Sequence, residues 1–319
     1  MNFPSKQELL DARDKISGMI HHTPVLTSRT FDAMTGASVF FKCENFQRMG
    51  AYKMRGASHA LSMLTSQEQS KGVTTHSSGN FAQALALASK IKQIKASIVM
   101  PQNAPSVKVE AVKGYGAEVV FSGNKPSDRE KKIDEVIATT GMSFIHPSND
   151  LQVIIGNSTC AQELIEEVSN LDIVIAPVGG GGLLAGTALA VHWFSPSTEI
   201  FAAEPEVVDD AYRSMISGQI ETNESADTIA DGLRTNLGDI NFPIIKKSVT
   251  EVLLVSEDEI VNAMRWIWER MKIIIEPSSA VAVAAVIRYK DKFEGKRIGV
   301  ILSGGNVDLS SLSQLLKKE

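Results

Sequence analysis

The chain has 319 residues, 43% of them hydrophobic, enough for two domains or one large one around an ordinary core. Its formal net charge is −5 and its lysines and arginines are scattered, which excludes a nucleic-acid or acidic-membrane footprint and points to small-molecule partners. Two cysteines, Cys43 and Cys160, are too few for a disulfide framework or a structural zinc site and fit a reducing cytoplasm.

The segment from Met1 to Leu10 lacks a cationic start followed by an apolar run, so no secretory leader is expected in it. Val39-Phe-Phe-Lys-Cys43 reads as a strand. After it comes Phe46-Gln-Arg-Met-Gly-Ala-Tyr-Lys-Met-Arg-Gly-Ala57, where Lys53 lies between aromatic and apolar neighbours. Burial lowers the pKa of a lysine, and the neutral amine can attack a carbonyl to form a Schiff base. A lysine in such a run can equally lay its stem along an apolar surface.

Thr75-His-Ser-Ser-Gly-Asn-Phe-Ala-Gln83 ends a short apolar strand and begins a helix over Ala82 to Ala88. The hydroxyls of Ser77 and Ser78, with the free amides of a helix N-terminus, suit a carboxylate. Ser78 or Asn80 as a plain N-cap is the structural alternative, compatible with the first. Ala96-Ser-Ile-Val-Met100 and Glu118-Val-Val-Phe121 are further strands.

Ile173 to Phe194 contains no Asp, Glu, Lys or Arg and has the length of a membrane span. Pro177 and four consecutive glycines interrupt it, so it reads as a buried strand Ile173-Val-Ile-Ala176, a glycine turn and an apolar helix from about Leu183. In Val178-Gly-Gly-Gly-Gly-Leu-Leu184 the backbone amides can close around a phosphate at the positive end of the helix dipole. Consecutive glycines are costly in chain entropy. Their spacing matches neither a triphosphate loop nor a dinucleotide fingerprint, leaving a single phosphate on a small cofactor, or a bare tight turn, as the readings.

Glu199-Ile-Phe-Ala-Ala203 is a strand leading into Glu204-Pro-Glu-Val-Val-Asp-Asp210, whose carboxylates could hold a hard cation with a backbone carbonyl or simply be solvated. Ser217 to Ser225 reads as a surface excursion. Arg297-Ile-Gly-Val-Ile-Leu302 is the last strand, and it places Ser303 of Ser303-Gly-Gly-Asn306 at the carboxyl edge of a sheet. The alternation of strands and helices implies parallel sheets covered on both faces, with ligands beyond the carboxyl ends of the strands.

Together these segments resemble the fold-type II pyridoxal-phosphate enzymes, most closely the serine racemase and short serine/threonine dehydratase family, over nearly the whole chain. Gly50 to Ala57 resembles the family's Schiff-base lysine motif, Ser77-Ser-Gly-Asn80 its substrate loop, Gly179 to Gly182 its phosphate loop and Ser303 to Asn306 its pyridine-nitrogen segment. His22-Thr-Pro-Val-Leu26, Thr228-Ile-Ala-Asp-Gly232 and Glu269 to Pro277 match as well. The implied fold is α/β and tryptophan synthase β-like: two open, twisted, mostly parallel sheets flanked by helices. A large domain over 1–49 and 146–319 and a small domain over 50–145 would enclose the cofactor in a cleft.

The resemblance implies that Lys53 anchors pyridoxal phosphate, that Asn80 bonds its phenolic oxygen, and that Gly179, Gly180, Gly181, Gly182 and Leu183 bind its phosphate. Ser303 would face the ring nitrogen; a serine there does not favour a protonated ring, so elimination of a β-substituent suits the site better than prolonged carbanion chemistry. Ser77, Ser78 and Asn80 would receive the substrate carboxylate, with Arg129 and Gly232 nearby. Ser78 occupies the position of the racemases' second acid/base, though a hydroxyl there can also just bind the carboxylate.

The implied reaction is dehydration of serine or threonine to pyruvate or 2-oxobutyrate and ammonia, with serine racemisation open to it. A 3-hydroxyaspartate dehydratase, with Arg129 as the cation for the second carboxylate, is the near alternative. A catalytically silent cofactor-binding regulatory protein is the distant one, and Lys53 and Ser78 speak against it. Glu204, the Val208 carbonyl and Asp210 match a site for Mg²⁺, or Ca²⁺ or Mn²⁺. Gln83, Tyr115, Lys272 and Asn306 match an intersubunit ATP site, whereas Arg29 and Met49 do not. The family likeness also implies a homodimer; the cysteine usage gives a cytoplasmic location as the expectation, and no regulatory domain is expected after Glu319. Departures from the family pattern are Phe81, Ser148, Asn157-Ser158 and Ser278-Ser279, with Phe81 and Asn157-Ser158 expected at the mouth of the site.

Overall fold

The computed structural model describes residues 3–308. Its strands are β1 (Val25–Thr27), β2 (Ser38–Cys43), β3 (Val73–His76), β4 (Ala96–Pro101), β5 (Glu118–Ser122), β6 (Ser143–Phe144), β7 (Ile173–Pro177), β8 (Glu199–Pro205), β9 (Glu251–Val255) and β10 (Arg297–Leu302). Six of them form one sheet in the order β1-β2-β10-β7-β8-β9, and four form a second in the order β5-β4-β3-β6. Every pairing is parallel except that of β1 with β2.

The six runs read as strands from their β-branched content are all strands here. The sequence reading did not single out β9, and the short β1 and β6 were also missed. Central strands of a parallel sheet are covered on both faces, so they read as continuous apolar runs rather than alternating ones. This holds for β7, where every residue is buried, and for β10, buried from Ile298 onward. In register, β10 sets Ile298 against Val39 on one side and Ile173 on the other.

One face of the larger sheet packs Phe41, Ile175 and Val300 against the Ala/Val-rich helix Pro277–Arg288. The other packs Val174, Ala176 and Ile301 against Leu184 and Ala188 of the helix Gly182–Phe194. The smaller sheet buries Ile98 and Met100 against Ala84, Leu85 and Ala88 of the helix Asn80–Lys92, and Val99 against Ile133 and Val136 on its opposite face. Each such large apolar side chain contributes about 1.5–3 kcal/mol by leaving water. The stretch Ile173 to Phe194 is thus a strand, a turn and a helix, and among the described residues no helix is long and apolar enough to cross a membrane.

Glycine lets the Lys53-bearing helix, Lys53–Ser62, approach the helix Leu151–Glu167 closely. A Cβ on Gly56 would lie 2.8 Å from the Val153 carbonyl oxygen, and one on Gly156 would lie 2.7 Å from that of Arg55. Asp150 starts the second helix by accepting the amides of Gln152 and Val153 at 2.8 and 3.0 Å. The result is a fixed seat for Lys53. The loops after β3, β7, β8 and β10, all at carboxyl ends, carry Ser77 and Ser78, the glycines from Gly179, Val208, and Ser303.

Candidate active site

Lys53 begins its helix half-buried, and its Nζ donates to the carbonyl of Pro147 at 2.8 Å. The rings of Tyr52 and Phe81 lie 5.0 and 5.8 Å from Nζ. Burial pulls the Lys53 pKa down to about 8 against the opposing pull of the Glu276 carboxylate. A substantial neutral fraction near neutral pH is what a nucleophilic amine requires. Two residues on, buried Arg55 bridges Glu44 at 2.7 Å and Glu163 at 2.7 Å, and Lys42 also pairs with Glu163 at 2.7 Å. This network ties the Lys53 helix to β2 and to the helix Leu151–Glu167.

The glycine loop follows β7 and opens the helix Gly182–Phe194, with Gly181 at φ 77° as its N-cap. It is buried, and among the described residues no acceptor takes the amides of Gly179, Gly180 or Gly181. The first-turn amides of the helix are also without helical acceptors. A Cβ on Gly180 would stand 2.4 Å from Ser148 Oγ, and one on Gly179 2.6 Å from Leu233 Cα. Asn241, which the sequence reading missed, locks the loop by donating to the carbonyls of Gly180 at 2.8 Å and Ser148 at 3.2 Å. Pro147-Ser148 therefore touches both Lys53 and the glycine loop. Acceptor-free buried amides beside a lysine of lowered pKa fit a phosphorylated carbonyl cofactor.

Glu276 is the main residue the sequence reading left without a role. It is buried at the N-cap of the helix Pro277–Arg288, where Asn80 Nδ2 donates to its two oxygens at 2.9 and 3.1 Å and the Asn306 amide donates at 3.1 Å. Burial and the Asp231 carboxylate raise its pKa to about 7, against these donors and Lys108. Asn306 Nδ2 donates to Asn80 Oδ1 at 2.9 Å and to the Met49 carbonyl at 2.8 Å. The Tyr52 amide donates to the Ser303 carbonyl at 3.0 Å. The motifs around Lys53, Asn80 and Ser303 are thereby joined.

Ser77 accepts the amides of Gly79 and Ala82, both at 3.3 Å, and Ser78 beside it is half-buried. His76 and His146 stand edge to face at 5.5 Å. Burial first, then His76 and Lys53, push the His146 pKa down to about 4, and its Nδ1 accepts the amides of Ser148 and Asn149. Neither histidine was singled out from sequence. Arg129 is half-buried, forms no ion pair among the described residues, and helps hold the His76 pKa below its ordinary value, after burial. The Gly232 amide donates to Ser278 Oγ at 3.0 Å, while neighbouring Asp231 pairs with Lys108.

Phe81 is buried against the Lys53 side, and Asn157 and Ser158 are fully buried, with Asn157 Nδ2 donating to the Gly182 carbonyl at 3.2 Å. These residues were expected at the mouth of the site; all three are buried, Phe81 with its ring 5.8 Å from Lys53 Nζ.

Away from this cleft, buried Glu204 accepts the amides of Ala211 and Tyr212, both at 2.9 Å, and buried Asp210 accepts Asn223 Nδ2 at 2.6 Å and the Leu237 amide at 3.1 Å. Burial, then Asp210, raises the Glu204 pKa to about 9, and burial raises that of Asp210 to about 6. Among the described residues no donor reaches the Val208 carbonyl, and no group of three or more His, Cys, Asp or Glu is placed to hold a metal. Two carboxylates and a carbonyl are an oxygen donor set of the kind a hard cation takes. Of the nucleotide candidates, Gln83 is buried, Tyr115 half-buried and Lys272 exposed, and Asn306 lies in the Glu276 network.

The model of a family described as pyridoxal-phosphate dependent enzymes matches residues 16–304. The chain is 49% identical over 314 residues to a serine racemase of Dictyostelium discoideum, covering 97% of each. It is 45% identical to a β-hydroxyaspartate dehydratase of Paracoccus denitrificans, covering 98% of this chain and 99% of that one. The solved structure of maize serine racemase superposes with a TM-score of 0.94 at 44% identity, covering 97% of this chain and 95% of that one.

Proposed function

The chain belongs to the pyridoxal-phosphate-dependent enzyme family, and from that premise we propose that it is a lyase of small β-hydroxy amino acids. It dehydrates serine or threonine to pyruvate or 2-oxobutyrate plus ammonia, and it racemises serine to some degree. The observation that carries this reading is the convergence on Lys53 of the acceptor-free glycine amides, through Pro147-Ser148, and of Asn80 and Ser303, through the Glu276 network. Nothing about a silent binding protein calls for a lysine of lowered pKa at that point.

Lys53 would hold pyridoxal phosphate through its amine, Gly179, Gly180, Gly181, Gly182 and Leu183 would hold the phosphate, Asn80 would face the phenolic oxygen and Ser303 the ring nitrogen. When bound, the cofactor supplies an electron sink for the substrate's α-carbon. Ser77, Ser78 and Asn80, with the amides at the start of the helix Asn80–Lys92, orient the substrate carboxylate. Lys53, its amine set free when the substrate's amine takes its place, would then take the α-proton from one face. Loss of the β-hydroxyl discharges the electron pair, and addition of water releases the keto acid and ammonia. Return of a proton from the opposite face, where we place Ser78, inverts the substrate. Gly232, fixed on Ser278, borders the substrate.

A second reading, dehydration of 3-hydroxyaspartate, is favoured by Arg129, a half-buried cation without an ion pair that acts electrostatically on His76 beside the Ser77–Asn80 loop. Both readings are tested together. The purified protein is incubated with L-serine, D-serine, L-threonine and the 3-hydroxyaspartate epimers, with and without Mg²⁺, and keto acid, ammonia and enantiomer content are measured. Absence of product from all of them rejects the enzyme reading. Arg129→Met should depress turnover of the dicarboxylate selectively; equal loss on serine rejects the second reading. Lys53→Ala should abolish borohydride-reducible cofactor and turnover.

The same reading extends to features the geometry supports less directly. Glu204, Asp210 and the Val208 carbonyl would hold Mg²⁺, Ca²⁺ or Mn²⁺, the ion taking the place of the proton that burial, joined at Glu204 by the charge of Asp210, otherwise favours on this carboxylate pair. Gln83, Tyr115, Lys272 and Asn306 would meet ATP between subunits of a cytoplasmic homodimer. The two sheets would be the cores of a large domain, 1–49 and 146–319, and a small domain, 50–145.

A further inference from the structure

Ser279 is fully buried in the first turn of the helix Pro277–Arg288. A hydroxyl has one proton and two lone pairs. Ser279 Oγ lies 2.7 Å from the Gly304 carbonyl oxygen, receives the Gly304 amide at 2.7 Å, and lies 3.2 Å from Ser303 Oγ. Two oxygens 2.7 Å apart need a hydrogen between them, and the carbonyl has none to give, so the Ser279 proton lies on the Gly304 side. One lone pair takes the Gly304 amide; the other faces Ser303. The remaining bond closes only if Ser303 is its donor.

We infer that Ser279 is a positioning residue that draws the Ser303 proton away from the crevice and turns the Ser303 lone pairs toward it. Ser303 then receives a hydrogen-bond donor better than it receives an acceptor. This rests on the reading above in which Ser303 faces the ring nitrogen of pyridoxal phosphate. Under that reading the nitrogen keeps its proton to higher pH than it would beside a serine free to donate. The consequence qualifies the expectation that a serine at this position leaves the ring a weak electron sink. A better sink lengthens the life of the carbanion, which favours proton return, and so racemisation, over elimination.

One neutral hydrogen bond is worth up to about tenfold in such an equilibrium, or up to about one pH unit in its midpoint. The test uses the holoprotein loaded with pyridoxal phosphate carrying ¹⁵N in its ring, with the nitrogen chemical shift followed against pH. In Ser279→Ala the midpoint should fall by up to about one pH unit. Ser279→Thr, which keeps the hydroxyl, should titrate with the unaltered protein. If the alanine variant does not retain cofactor, Ser279→Cys replaces it, because a thiol is a poor acceptor and should shift the midpoint the same way. Equal midpoints with cofactor bound overturn the role of Ser279. An unaltered protein that binds no labelled cofactor overturns the underlying reading instead.

Discussion

Two buried polar networks reach the segment around Lys53, and they meet the cost of burying charge in opposite ways. In the first, Lys42, Arg55, Glu44 and Glu163 set two cations against two carboxylates, with further bonds to Thr23 and Thr159. Burial acts against every charge there, yet Arg55 and Lys42 still hold Glu163 below the usual carboxyl range. In the second, Glu276 has only the neutral donors of Asn80 and Asn306, and its pKa rises to about 7. A network that is fully paired fixes geometry. One that is left a charge short remains responsive, and it is the one that touches Asn80 and acts on Lys53.

The largest effect should come from breaking the paired network. Arg55→Met leaves Glu44 without a cation and Glu163 with Lys42 alone, and removing one partner of a buried pair costs about 3–5 kcal/mol. Urea unfolding should register that loss across the neutral range. A cost below about 1 kcal/mol would mean that the pairing contributes little net stability.

Glu276→Gln should have a smaller effect, and one that depends on pH. With a folded pKa of about 7 against an ordinary 4.5, the folded chain keeps a proton that the unfolded chain releases. The stability tied to this group is therefore fully present below about pH 4.5 and is lost as pH rises to about 7, roughly 3 kcal/mol in all. The glutamine variant should match the unaltered protein at pH 4.5 and exceed it by up to about that amount at pH 8. A difference independent of pH would show that Glu276 is not the titrating group.

The two networks also differ in how far the sequence disclosed them. Backbone-built features were legible: the glycine loop, the strands β2, β4, β5, β7, β8 and β10, and the motifs around Lys53, Ser78 and Ser303 all declare themselves through local residue types. The strand β9 escaped because Glu251-Val-Leu-Leu-Val255 runs straight into the helix start Ser256-Glu-Asp-Glu259, and the short run was not separated from it. Asn241, Arg55 and Glu276 escaped because their partners lie far away in sequence; Glu276 meets Asn80 across 196 residues. One local signal was available. A carboxylate wedged in Ile273-Ile-Ile-Glu-Pro277 is out of place unless the fold brings donors to it.

The smallest effect tests whether the unpaired network reaches Lys53 itself. With a pKa of about 8, roughly one Lys53 in ten is neutral at pH 7, against about three in ten thousand at the ordinary lysine value. The rate at which cofactor-free protein takes up pyridoxal phosphate into a borohydride-reducible form should therefore rise with pH and level off just above pH 8, not above pH 10. Glu276 favours the charged amine, so Glu276→Gln should move the inflection lower, while Glu163→Gln should leave it in place unless the helix shifts. An inflection that ignores Glu276 would reduce the second network to a scaffold for Asn80. One that follows it would tie the protonation of the reactive amine to Glu276, a buried carboxylate held by neutral donors alone.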